Sequence, residues 1–432
     1  MRVLWITNIL LPDISEYLGI KPPVIGGWVN SSLNAIKDLD STLSFAVGAL
    51  YDGKELLEKE INDVTYFCIP RKGKQMPFEY DSSLEKYWVE VKNRYNPDLV
   101  HIHGSEFQHG LAYLKVNGNK NAILSIQGCV SAISRYADGL IKHEVWRKHR
   151  SFVDLVKMKS QRKFIIDNYK KRSGGEIEYF NSLENIIGRT NWDRTHAEAI
   201  NPDIRYFFCN ETLRPQFYNS RWNLRSCVNN RMFLSQASEP LKGFHQVIKA
   251  LPLILRKFPN TQVYIAGDSP ITKNRLRRST YANYLLSLMK ETGTADKIHF
   301  TGQLNEKNMI DMYLSSHVFV CPSSIENSPN SLGEAQLLGV PSVASYVGGI
   351  PDMIEQGISG MYYRFEEYEI MAAHICNIFK HPGFANELSQ GGSIAARKRH
   401  GSQTNAIDTI NIYNEVADIR VNVPVVSTDL VG

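Results

Sequence analysis

Two carboxylates, Glu326 and Glu334, bracket a small polar loop (Asn327-Ser328-Pro329-Asn330) in the segment I-E-N-S-P-N-S-L-G-E. The loop breaks into a helix. Before it, Val318-Phe319-Val320-Cys321-Pro322 reads as a buried strand, apolar on both faces and stopped by Pro322. After it come the mostly apolar run Val340 to Ala344 and a Gly348-Gly349 turn. The order is strand, loop with a carboxylate, helix N-terminus, helix, strand, glycine loop. A helix N-terminus offers unpaired N–H groups and the positive end of a dipole, which suits phosphate. Carboxylates beside it accept hydrogen bonds from hydroxyls. A nucleotide-sugar presents both kinds of group.

Other short stretches could share in such chemistry. Lys242-Gly243 sits at a helix start soon after the strand-like run Met232-Phe233-Leu234-Ser235, with an ammonium next to the helix end. Ile25-Gly26-Gly27-Trp28 also precedes a helix, and its glycines let backbone N–H groups approach a ligand closely. Strand ends of the first half carry His101-Ile102-His103-Gly104-Ser105-Glu106, Ser125-Ile126-Gln127-Gly128 and Gly188-Arg189-Thr190-Asn191. Those of the second half carry Ile265-Ala266-Gly267-Asp268 and Phe300-Thr301-Gly302-Gln303. Asp38-Leu39-Asp40 falls at the end of an expected helix, where it reads as a solvated terminus. Holding a divalent ion on a diphosphate calls for such a pair at a strand end.

These loops need a scaffold that brings their ends together. In the first half, strands are expected at Val3–Asn8, Leu43–Leu50, Val64–Ile69, Leu99–His103, Ala122–Ile126, Asn185–Arg189 and Ile204–Cys209. Helices fill gaps near Val29–Asp38, Ser83–Tyr95, Glu106–Val116 and Asp193–Ile200. The second half repeats the alternation from Met232 onward. Such alternation predicts two parallel, doubly wound sheets, which take ligands at the carboxyl ends of their strands. The expected division is residues 1–211, a polar linker 212–230, a second domain 231–400, a helix 401–418 and a tail 419–432. In the helix, Ala406, Ile410, Tyr413 and Ala417 share one face.

Composition sets outer bounds. A chain of 432 residues with 43% hydrophobic content has ample core for two or three domains. A net charge of +5 does not call for a nucleic-acid partner. The six cysteines are scattered, with no C-x-x-C pair, and suit a reducing cytoplasm. The N-terminus M-R-V-L-W-I-T-N is too quickly polar for a signal peptide. No apolar run approaches the ~18 residues that span a bilayer. A soluble or peripheral protein is expected. Residues 135–179 form a helical insertion rich in Lys and Arg, among them Lys142, Arg147, Lys148, Lys163 and Lys170, with apolar residues interspersed. A basic amphipathic surface of this kind suits an anionic membrane, at the inner face, or a lipid-diphosphate acceptor. A solvated helix face reads the same way.

The Glu326–Glu334 segment resembles the E-x7-E segment of retaining glycosyltransferases with the GT-B fold, in particular glycosyltransferase family 4. The resemblance implies two Rossmann-like domains facing each other across a cleft. It places Glu326 at the donor sugar and Glu334 at the nucleotide ribose. Asn327, Ser328, Asn330, Ser331 and Leu332 would line the donor, Gly26 and Gly27 its diphosphate, and Gly267 and Gly302 the nucleotide. The family's G-R-L-x-x-x-K-G turn is matched by Lys242-Gly243, but Gln236 or Ala237 stands near the place of its arginine. Lys242 would carry charge on the leaving diphosphate, with Arg189 able to reach across. Gln127 replaces the family's histidine at the T-x-H-G type turn; it can hydrogen-bond but cannot take a proton, and His103 is the remaining histidine there.

The expectation is therefore a metal-independent, retaining, hexosyltransferase-like enzyme without a bound cofactor. It would move a sugar from a nucleotide-sugar donor to a glycan or lipid-linked glycan acceptor, in a setting such as polysaccharide biosynthesis. An epimerase or phosphorylase on the same fold is the nearest rival, and a non-catalytic two-lobed sugar-binding protein the next.

Overall fold

The computed structural model describes residues 1–22, 26–71, 79–156, 158–272 and 274–418. The first sheet holds β1 (Arg2–Thr7), β2 (Ser44–Tyr51), β3 (Leu57–Ile61), β4 (Val64–Pro70), β5 (Leu99–His103), β6 (Ala122–Ser125), β7 (Asn185–Gly188) and β8 (Arg205–Phe208). Their order is β3-β4-β2-β1-β5-β6-β7-β8, parallel except for β3, which runs antiparallel to β4. The second sheet holds β9 (Val228–Leu234), β10 (Gln262–Ile265), β11 (Ile298–Phe300), β12 (Ser316–Cys321), β13 (Ser342–Ser345) and β14 (Met361–Tyr363). It is parallel throughout, in the order β11-β10-β9-β12-β13-β14.

Residue pattern explains why β1 and β9 are central. Val3, Leu4, Trp5 and Ile6 are all fully buried, as a strand covered on both faces requires. Side chains alternate faces. Val3 and Trp5 join the core under helices Gly27–Leu39 and Ser402–Val416, while Leu4 and Ile6 join the core containing Trp88 and Leu111. In each sheet the strand order reverses at this first strand: β1 lies between β2 and β5, and β9 between β10 and β12. Loops leaving such neighbouring strands diverge and open a crevice. The β1 loop leads to Gly26 and Gly27, the β9 loop to Lys242, and the β12 loop to Glu326.

Some elements differ from expectation. The strand β3, L-E-K-E-I, was not anticipated; it is a short, charged, alternating edge strand whose pairing needs β4 beside it. Helix Pro12–Tyr17, with proline at its first position, occupies part of the expected loop after β1. Residues 212–230 are less loose than their polarity suggests. Leu213, Phe217 and Trp222 are buried in the second domain's core, Trp222 Nε1 donates to the Ser316 carbonyl (2.8 Å), and Val228–Asn230 already belong to β9. Helix Ser402–Val416 returns to the first domain, where Trp5 Nε1 donates to Tyr413 Oη at 2.9 Å. The tail 419–432 and Ile25 lie outside the described residues.

The basic insertion forms helices His143–Lys148, Phe152–Val156 and Gln161–Ser182. It is a strap between domains. The carboxylate of Glu176 anchors the long helix to the first domain, accepting from Val130 N (2.9 Å), Ser131 N (2.7 Å) and Ser105 Oγ (2.5 Å). On the other side, Ile141 and Trp146 enter the second domain's core, and Thr280 Oγ1 donates to Asp154 Oδ2 at 2.7 Å. Among the described residues no helix is long and apolar enough to cross a membrane.

Candidate active site

The second domain's half of the site is built from three adjacent loops. After β9 the chain makes the 3-10 turn Pro240–Lys242, and Gly243 (φ +67°) starts helix Phe244–Leu255. A Cβ on Gly243 would lie 1.7 Å from the Pro322 carbonyl oxygen, so only glycine lets the β9 and β12 loops meet. That contact sets Lys242 Nζ 2.7 Å from Glu326 Oε1, which also accepts from Ser323 Oγ at 2.6 Å. Burial alone would lower the Lys242 pKa, but the charge and hydrogen bond of Glu326 more than offset it and raise it, so the ammonium stays charged. The Glu326 carbonyl accepts from Gly349 N at 3.0 Å, and Gly348 (φ +52°) passes too close to that oxygen for any side chain.

Helix Asn330–Leu338 starts behind Pro329 without a side-chain cap; Leu332 N donates to the Pro329 carbonyl at 3.0 Å, which leaves the N–H groups of Asn330 and Ser331 for a ligand or solvent. Ser331 in its first turn borders the same space as Lys242 and Glu326. Leu332 is fully buried and its N–H is taken by the Pro329 carbonyl, so it does not line the donor space as expected. The Gly267 and Gly302 turns meet through Gly267 N donating to Gly302 O at 2.9 Å, both in the left-handed region that glycine favours.

Glu334 is buried and already engaged. Its Oε1 accepts from Arg214 Nη2 at 2.7 Å and Nε at 3.2 Å, and Tyr313 Oη donates to Oε2 at 3.4 Å. Burial raises the carboxyl pKa, with Arg214 acting against it. Arg214 lies over the Phe217 ring at 4.5 Å and directly against Gly27, where a Cβ would sit 2.9 Å from Arg214 Cδ. Sequence reasoning passed over this arginine, which stands in a segment read as linker. Its Arg-Pro step before a buried aromatic was the available signal.

The first domain's residues fall into two groups. Gly26 (φ +78°) caps helix Gly27–Leu39, so this helix start faces Arg214 and Glu334. The Asp38-Leu39-Asp40 run lies at the opposite end of that helix. His103 is 4% exposed, in tilted ring contact with Trp5 (centroids 4.3 Å apart) and His101 (3.9 Å), and its ring nitrogens lack hydrogen-bond partners. Burial, aided by His101, holds its pKa well below the usual histidine value, so the ring is neutral. Arg189 does not reach across to the diphosphate position. It is buried in an ion pair with Glu211 (2.7 Å) and donates to the Gln127 carbonyl (2.6 Å). His103, Gln127 and Arg189 border a cavity of about 40 Å³ with Trp5 and Trp28, room for a few waters. Glu106 lies nearby against Gly104; burial pushes its carboxyl up to about 7.

Asn327 and Asn330 also differ from expectation, since both reach into the first domain. Asn327 Oδ1 accepts from Thr190 Oγ1 (2.7 Å), and its Nδ2 donates to Asp193 Oδ2 (2.8 Å). Asn330 Nδ2 donates to Glu211 Oε2 at 2.7 Å. Ser328 turns into the protein and donates to the Met353 sulfur at 3.6 Å. Asn191 adds two hydrogen bonds to Asp352, at 2.9 and 2.8 Å. The cleft is thus closed by direct contacts. The space beside Lys242, Glu326 and Ser331 is about 10 Å³, whereas ligand sites run to roughly 300–1,000 Å³.

The domain that carries Lys242, Glu326 and Glu334 has a recognisable family pattern. Residues 228–395 match the family described as Glycosyl transferases group 1. Among curated relatives, the chain is similar to mannosylfructose-phosphate synthase of Agrobacterium fabrum, 23% identical over 268 residues, covering 59% of this chain and 57% of that protein. The chain spans about half the length of the curated relatives it matches. In architecture it is similar to sucrose-phosphate synthase from Thermosynechococcus elongatus, with TM-score 0.71, 12% identity and coverage of 97% of this chain and 100% of that one. It is also similar to the Anabaena protein HepE in complex with UDP and glucose, with TM-score 0.60, 15% identity and coverage of 95% and 99%. The fold is GT-B: two Rossmann-like domains of parallel sheet facing each other.

Proposed function

We propose that this chain is a retaining glycosyltransferase that moves a sugar from a nucleotide-sugar donor to a hydroxyl of a glycan or lipid-linked glycan acceptor. The observation that carries the reading is the Lys242–Glu326 pair beside the uncapped start of helix Asn330–Leu338. A cation and a helix N-terminus suit a diphosphate, and a carboxylate next to them suits sugar hydroxyls. The match of residues 228–395 to Glycosyl transferases group 1 supports it, as does the UDP and glucose named with HepE.

In this reading the acceptor hydroxyl attacks the anomeric carbon from the face the diphosphate leaves. The bond from carbon to phosphate oxygen breaks, the new glycosidic bond forms, and the hydroxyl proton passes to the departing phosphate oxygen. Lys242 and the helix dipole take up the growing negative charge without a metal ion. Glu326 orients the donor sugar, and Glu334, held by Arg214, receives the ribose hydroxyls. The neutral, buried His103 and the amide of Gln127, which border one cavity of the first domain, would meet the donor sugar from that side. The domains must part to admit the donor, because the contacts of Asn327 and Asn330 close the cleft. Six free thiols, Cys227 half-buried and the rest buried, suit a reducing cytoplasm, and polysaccharide assembly is a fitting setting.

The test is release of free nucleoside diphosphate from a panel of nucleotide-sugars with and without hydroxylated acceptors, with the product anomer read by NMR. Transfer from one donor with the anomeric configuration kept is expected. Epimerised donor, phosphate-dependent release of sugar 1-phosphate, or donor binding with no turnover would each point to a rival.

A further inference from the structure

The strap between the domains carries an exposed apolar knob. On helix Phe152–Val156, Phe152, Leu155 and Val156 stand 52%, 54% and 65% exposed, and Met158 just beyond reaches 88%. Phe164, in the first turn of the next helix, is 60% exposed. This short helix packs against the second domain's turn Arg275–Arg277, whose Leu276 is also exposed at 58%. The apolar group therefore draws on both domains.

Cations surround it. Lys148, Arg150, Lys159, Lys163, Arg275 and Arg277 are all exposed. The one acid inside the short helix, Asp154, is turned inward and consumed by Thr280 Oγ1 and the Gln161 amide. Among the described residues between 142 and 167 the exposed cations outnumber the exposed acids, Glu144 and Asp167. An apolar centre in such a basic segment has two parts of a membrane contact: area to bury at the acyl boundary and cations for anionic headgroups. The exposure of Met158 means that the centre protrudes instead of lining a groove, which suits insertion among headgroups better than a protein's pocketed hot spot.

We propose that this knob docks the protein onto an anionic phospholipid surface, with Phe152, Leu155, Val156, Met158, Phe164 and Leu276 entering the headgroup region and the surrounding cations meeting lipid phosphates. The docking surface lies outside the Lys242–Glu326 site, and the inference stands independently of the reaction.

The full chain should co-sediment with mixed phosphatidylcholine–phosphatidylglycerol vesicles and not with phosphatidylcholine alone, and added salt should weaken the binding. Lys159→Glu with Lys163→Glu should lower the partition coefficient by about fivefold or more per residue. Met158→Asp with Phe164→Asp should do the same without moving the melting temperature, since both side chains are exposed. Equal binding to neutral and anionic vesicles, no binding to either, or unchanged partition of both variant pairs would overturn the proposal. So would a dimer, seen by light scattering, that the Met158→Asp, Phe164→Asp pair abolishes, because the knob would then be a contact between copies.

Discussion

Arg214 and Glu334, 120 residues apart in the chain, form a 2.7 Å ion pair wedged between the glycine start of helix Gly27–Leu39 and helix Asn330–Leu338. The pair ties the segment between the domains to the carboxylate expected at the nucleotide ribose. With side chains only 16% and 10% exposed, neither charge is well solvated, so each depends on the other.

Arg214→Ala should therefore destabilise the fold by about 3–5 kcal/mol, because it strands a buried carboxylate. Adding Glu334→Gln should restore part of that loss. Glu334→Ala should weaken nucleoside diphosphate binding by roughly 1.5–3 kcal/mol, the worth of a charged hydrogen bond. Chemical denaturation and calorimetry read these separately. Unchanged stability of Arg214→Ala, or unchanged nucleotide affinity of Glu334→Ala, contradicts the assignment.

Transfer should persist in EDTA. In the proposed reading, Lys242 and the start of helix Asn330–Leu338 take the charge that a divalent ion would otherwise carry. Complete loss of turnover in EDTA, restored by Mg²⁺ or Mn²⁺, would show that an ion is required.

Stability should fall steeply with acid. Burial holds His101, His245 and His400 down to about 3 and His109 and His317 down to about 4. In the unfolded chain these rings titrate near 6.5. Above that value both states are neutral and no stability is lost. Below it the unfolded state binds protons that the folded state refuses, so the stabilisation drains away from about pH 6.5 down to about pH 4 for His109 and His317 and about pH 3 for His101, His245 and His400. Each such histidine contributes up to ~1.4 kcal/mol per pH unit. Urea midpoints at pH 7, 6 and 5 check this. A flat profile would mean that the rings are reached by protons in the folded state.

Local pattern made much of this legible. The buried parallel strands announce themselves as apolar runs, and Lys242-Gly243, Glu326 and Glu334 each sit in a loop-to-helix step that short windows reveal. What stayed hidden depends on long-range pairing. Arg214 acquires meaning only against Glu334, and Asn327 only because Thr190 and Asp193 wait across the cleft. Arg189 looked like a cation free to reach the diphosphate, but Glu211, the last residue before the expected linker, claims it. The edge strand β3 is too exposed and charged to show an apolar signature. The insertion's charge run said nothing of Ile141 and Trp146, which bolt it to the second domain.

The turnover of Lys242→Ala at saturating donor tests the account most directly, because the proposed chemistry centres on that ammonium. Removing one preorganised charge that acts on the leaving group should lower kcat by about 10²–10³. Lys142→Ala, on the exposed strap, should leave kcat unchanged. If Lys242→Ala keeps more than roughly a third of wild-type turnover, far less than loss of such a group allows, Lys242 only braces Glu326 and the diphosphate is held elsewhere.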